Sequence, residues 1–183
     1  MERLRCLLTW SGTEQVGGDA VASESELGHP EIRQVVLDTT DVRGLAEFYR
    51  QVFGLDYRPG DEMPPEGDPD PRGSDWLVLR HQSGDFGLAF QQVEELVEST
   101  WPHGKVPQQL HLDTSVTSAE ALAAQHERVL SLGARLIYDR FDDEEEPLRV
   151  YADPAGHPFC IFVAPPRATW ADEVAVAAAE EAK

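Results

Sequence analysis

One ordering of apolar runs, turn residues and glycines occurs twice in this chain, and that repeat limits the fold more than any other feature. An extended run at Ile32–Asp38 leads into a segment whose apolar residues Val42, Leu45, Phe48, Tyr49 and Val52 recur every three or four positions. That spacing is one face of a helix, Thr40 or Asp41 is placed to cap its start, and Gly54 is placed to end it. Strand-like runs follow at Leu55–Arg58, Asp75–His81 and Phe86–Gln92. The order then restarts. Gln109–Thr114 is extended, Thr117 and Glu120 form a capping box for a helix reaching Leu132, and Gly133 ends it. Ala134–Arg140, Leu148–Ala152 and Pro158–Val163 complete the second set. Gln34 and His111 lie 77 residues apart, and Gly54 and Gly133 lie 79 apart. Nearly equal offsets mark an internal duplication.

The expected fold class is therefore α+β, with two βαβββ modules spanning 31–92 and 108–165. Residues 93–107 connect them within one domain, 31–165. Residues 1–30 are rich in Gly, Ser and Glu without periodicity and read as a flexible leader. Residues 166–183 read as a tail, its alanine- and acid-rich end suited to a short helix. The Pro-, Gly- and acid-rich segment 59–74 is a loop long enough to serve as a lid.

The second module closes with Tyr151–Val163, YADPAGHPFCIFV. Asp153-Pro154 followed by Gly156 is turn chemistry, and the flanking apolar arms make a hairpin. Beyond the turn, Pro158, Cys160 and Phe162 share one strand face while Phe159, Ile161 and Val163 share the other.

The net charge of −19 repels phosphate backbones and anionic lipid, so nucleic-acid and membrane-surface roles are disfavoured. No stretch is apolar for long enough to span a bilayer. Two cysteines, Cys6 and Cys160, form no disulfide framework and suit a reducing cytoplasm, the expected location. The acidic run Asp142–Glu146 reads as a solvated loop rather than a metal cage.

Three segments in this order carry a resemblance. VVLDTTDVRGLAEFYRQVFGL resembles the first strand and capped helix, LHLDT with the helix ending Leu132-Gly133-Ala134 the second copy, and DPAGHPFCIFV the closing hairpin, of the vicinal oxygen chelate superfamily. That superfamily includes glyoxalase I, bleomycin-resistance proteins and extradiol dioxygenases. The resemblance covers roughly residues 31–165 and implies paired modules whose curved mixed sheet encloses a cleft. Metal-using members take one ligand from each of four strands: His or Gln, then Glu, then His, then Glu. Carried over, the first is Gln34, the third is His111 and the fourth falls on Cys160. The second lies within Leu88–Gln91, where no residue is acidic. Glyoxalase-type proton transfer needs an ion to polarise oxygen and a carboxylate to carry the proton, and both acids are missing here.

The primary expectation is thus a glyoxalase-like protein that binds or transforms an apolar or aromatic small molecule without a metal or other cofactor. The alternative is a lyase or dioxygenase with one divalent ion held by Gln34, His111 and Cys160. A third reading is a non-catalytic scaffold, and the resemblance allows a homodimer. His111 is the candidate acid/base; its plainer reading is a histidine held by Asp113 or a backbone carbonyl. Gln34, Asp38, Trp76, Phe90, His111, Asp113, Cys160 and Phe162 are the candidate ligand-binding residues. For the aromatic members the competing role is core packing. For Cys160 it is a small buried hydrophobe, since no cation lies nearby in sequence to favour a thiolate.

Overall fold

Alternation along the first strand decides what each side of the first sheet can do. The computed structural model describes residues 29–84 and 87–166; most of the expected leader, Phe86 and the tail helix lie outside them. In β1, Val35–Thr39, Leu37 and Thr39 are buried while Val36 and Asp38 are exposed. The chain then enters α1, Val42–Phe53, capped by Asp41, whose carboxylate accepts from the Gly44 N–H at 2.9 Å. Gly54 ends the helix at φ 63°, a left-handed conformation that favours glycine, and its N–H donates to the Arg50 carbonyl. β2 (Asp56–Tyr57), β3 (Trp76–Arg80) and β4 (Gly87–Gln92) complete a sheet of order β1-β4-β3-β2, with β1 and β4 parallel.

The second module repeats the plan as β5 (Leu112–Val116), α2 (Ala119–Ser131), β6 (Arg135–Arg140), β7 (Leu148–Ala152) and β8 (Pro158–Val163). Its sheet order is β5-β8-β7-β6. The fold class is α+β, as the repeat predicts. One cap differs from expectation: Ser118, not Thr117, immediately precedes the helix, and its hydroxyl accepts from the Ala121 N–H at 3.2 Å.

The two registers are equivalent. Val36 opposes Ala89 across β1 and β4 as Asp113 opposes Cys160 across β5 and β8. Arg80 opposes Gly87 as Ala152 opposes Pro158.

Both modules contribute to one apolar core. The α1 helix buries Val42, Leu45, Ala46, Phe48, Tyr49 and Val52, whereas α2 buries Leu122 and Val129. Phe159 of β8 joins the halves. Its ring lies 5.9 Å from Phe48, 6.2 Å from Tyr49 and 5.3 Å from Tyr151. The closing turn is fastened to the same helix. Asp153 is 4% exposed; its carboxylate accepts from the Tyr49 hydroxyl at 2.8 Å and from the N–H groups of Ala155 and His157. His157, in that turn, reaches Asp38, with Nε2 2.6 Å from its carbonyl oxygen.

The 59–74 segment is tied to the fold through Asp61 and Asp70. Arg43 of α1 makes a two-pronged pair with Asp70 at 2.7 and 3.0 Å and donates to the Asp61 carbonyl at 2.9 Å. The Asp61 side chain is fully buried, paired with Arg58 and Arg72 and accepting from the Val78 N–H. In the acidic loop, Asp143 accepts from the N–H groups of Glu145 and Glu146, which shapes that run into a turn.

Candidate functional site

Strand alternation gives each sheet a face that packs on the helices and a face that, among the described residues, lies outside the helix-packed core. In the first sheet Leu37, Leu77, Leu79, Leu88 and Phe90 belong to the common core. Gln34, Val36 and Asp38 of the β1 segment, Trp76 and Arg80 of β3, and Gln91 of β4 take the opposite parity. In the second sheet Phe159 and Ile161 join the core. His111, Asp113, Cys160 and Phe162 lie on the helix-free side.

Most of the candidate residues therefore share one kind of face, with one exception. Phe90 is fully buried and its ring stacks 5.9 Å from Tyr49 on the helix side. It is in phase with Leu88 and one residue out of phase with Ala89, so it builds core instead of a cleft wall. Trp76 and Phe162 are half-buried and Asp38 is exposed. The 93–107 connection brings Trp101 edge-on to Tyr138 of β6, ring centres 5.7 Å apart, and Tyr138 shares the parity of Val150 and Cys160.

Two polar clusters form on these faces. In the second module, Asp113 Oδ1 accepts the Cys160 thiol at 2.8 Å and lies 3.3 Å from His111 Nε2. A carboxylate can only accept, so the thiol proton points to Asp113. Burial, with the Asp113 carboxylate beside it, pushes the Cys160 thiol up to about 12. The thiol is a held donor, not a thiolate. His111 is 43% exposed at its side chain.

In the first module, Arg80 Nη2 donates to Gln34 Oε1 at 2.6 Å and Nη1 donates to the Arg33 carbonyl at 3.1 Å. No hydrogen bond or ion pair joins this cluster to the His111 cluster among the described residues. Arg80 escapes a reading of motifs because it is a lone cation ending an apolar strand. Its parity with Trp76 was the available signal.

The shared register also fixes the second ligand position that the resemblance leaves open. Cys160 opposes Asp113, two residues after His111; Ala89 opposes Val36, two residues after Gln34. The position equivalent to Cys160 is thus Ala89, which has no donor atom. Gln34 has one oxygen to offer an ion, and that oxygen already accepts from a guanidinium. Among the described residues no three His, Cys, Asp or Glu side chains form a group that could hold a metal ion. An alanine, a protonated thiol and an amide facing a cation do not fit the oxygen-rich divalent site of the metal-using members.

The model of the glyoxalase-like domain matches residues 34–162, and this chain belongs to that family. Solved structures share its fold. A glyoxalase/bleomycin resistance protein/dioxygenase family enzyme from Burkholderia phytofirmans is 19% identical with a TM-score of 0.51, covering 72% of this chain and 96% of that one. The fosfomycin resistance protein FosX from Mesorhizobium loti is 16% identical with a TM-score of 0.52, covering 80% and 99%. A Listeria monocytogenes FosX variant, solved with Mn(II) and 1S,2S-dihydroxypropylphosphonic acid, is 15% identical with a TM-score of 0.53, covering 75% and 94%. At these identities the likeness shows the fold. No curated protein matches the chain. Among the described residues no helix is long and apolar enough to cross a membrane.

Proposed function

We propose that this chain binds or transforms an apolar or aromatic small molecule on its helix-free sheet faces, without the divalent ion its metal-using relatives employ. The carrying observation is the donor set: Ala89 and Cys160 stand at the equivalent fourth-strand positions, and Gln34 spends its oxygen on Arg80. Half-buried Trp76 and Phe162, with the Trp101–Tyr138 pair, supply apolar contact; Asp38 and Asp113 supply polar contact. His111 beside Asp113 is the group for proton exchange. Two cysteines, one held as a protonated thiol, suit a cytoplasmic protein.

The test is metal retention. After incubation of the full chain with Mn(II), Ni(II) or Zn(II) and desalting, elemental analysis is expected to give far less than one ion per chain. Retention near one ion per chain that His111→Ala abolishes would establish the metal-dependent reading instead.

A further inference from the structure

Arg80 is a cation that the fold has positioned but not neutralised. Two of its N–H donors are used, one on the Gln34 side-chain oxygen and one on the Arg33 carbonyl. Among the described residues no carboxylate pairs with it; Arg128 likewise reaches only the Gln51 and Val52 carbonyls and the Gln125 amide, whereas Arg43, Arg50, Arg58, Arg72, Arg135, Arg140 and Arg149 each have an acid partner. In a chain of net charge −19 an arginine left without an acid is conspicuous.

The neighbouring strand is shaped around it. A Cβ placed on Gly87 would lie 1.8 Å from Arg80 Nη1 and 2.9 Å from its Cζ, so only glycine lets the guanidinium lie across β4 to reach Gln34. The equivalent pair in the second module is Ala152 and Pro158, where neither the cation nor the space exists.

Gln34 adds donors to the same spot. A guanidinium can only donate, so the Gln34 oxygen faces Arg80, and its amide N–H groups are left pointing elsewhere. The free part of the Arg80 fork and the Gln34 amide thus offer donors without acceptors. Burial, with Arg33 and Arg58 nearby, pushes the Arg80 pKa down from its ordinary value, a penalty that an arriving anion relieves. Along the same face lie Val36, 39% exposed, and half-buried Trp76.

We infer that Arg80, supported by Gln34 and given room by Gly87, is the docking point for an oxyanion group of the small molecule, a carboxylate or phosphoryl. Planar two-pronged recognition is what a guanidinium supplies and an ammonium does not. This inference deepens the proposed function, since it takes the helix-free face as the ligand site and assigns its ligand a negative charge.

Three probes separate the two ideas: benzoate, inorganic phosphate and neutral benzamide, each titrated into the full chain by calorimetry and by amide NMR. Benzoate is expected to bind about tenfold or more tightly than benzamide, to weaken with added salt, and to shift the Gly87 N–H and the Gln34 side-chain amide. Benzoate and phosphate affinity should fall about tenfold in Arg80→Met and also in Gly87→Ala, while Arg80→Lys recovers part of it. A melting curve confirms that each variant is folded, and Gly87→Ala carries the test if Arg80→Met is not. Equal affinity for benzoate and benzamide, or anion binding unchanged in both loss variants, would overturn the inference and leave the apolar-ligand reading standing. Phosphate binding lost in Arg80→Met, with no binding of either aromatic, would uphold the anion site and overturn the apolar reading. No binding of any probe to the native chain would overturn both.

Discussion

The two modules share a backbone plan and differ in the chemistry placed on it. On the helix-free side, the positions Gln34, Val36, Ala89 and Arg80 in the first module correspond to His111, Asp113, Cys160 and Ala152 in the second. The first set is a cation with an amide turned toward it. The second is an imidazole and a thiol around a carboxylate. Duplication fixes where side chains emerge, because strand register and alternation are backbone properties, and it leaves each module free to carry its own charge. The helix side is unequal too: α1 buries six residues and α2 two, so α1 organises the core for both halves.

The most damaging way to break the comparison is to remove the residue that joins the modules. Phe159 has no equivalent aromatic in β4, where Leu88 holds its register place, and it touches rings from α1 and β7. Phe159→Ala is expected to lower stability by about 3–5 kcal/mol through a cavity that two sheets and a helix cannot all close. Chemical denaturation measures it. A loss below that of Leu88→Ala would show that Phe159 is not the joint.

The acidic cluster of the second module can be sharpened through Cys160. With its thiol near 12, alkylation at mildly alkaline pH should run about a thousandfold slower than for a free thiol. Peptide-resolved mass spectrometry distinguishes it from Cys6. Asp113→Asn removes the acceptor charge and should quicken the reaction only modestly, because burial is the larger cause. Rapid labelling of the native chain would contradict a held thiol.

The smallest effect contrasts the modules by pH. In the first module the Arg43 guanidinium holds the Asp70 carboxyl below its ordinary value, and Arg50 does the same for Glu47. A lowered folded-state value means that the unfolded chain takes up protons first. The stabilisation is therefore present above the ordinary carboxylate range and lost as pH falls through the folded values. In the second module burial raises Asp153, so its contribution has the opposite sign, present in acid and lost as pH rises through its folded value. Asp70→Asn should flatten the acid limb of stability against pH by about 1 kcal/mol or less, since the pair is partly exposed. An unchanged acid limb would count against the Arg43–Asp70 pair as its source.

The sequence by itself determined the duplication, the helix stops at Gly54 and Gly133, the closing hairpin and the family. These features rest on local chemistry: spacing of apolar residues, glycine conformations and turn residues are written within a few positions of each other. It also set Gln34 and His111 at equivalent positions of the two modules, because a repeat carries its register with it. Only the tertiary structure decided which strand face meets the helices, and that sent Phe90 into the core. Only it showed that Asp113 holds the Cys160 proton, that Ala89 is the counterpart of Cys160, and that Arg80 lies over Gly87 against Gln34. Those facts join residues 46 or more positions apart or on separate strands, and pairing across strands is a property of the folded sheet, not of any stretch of chain.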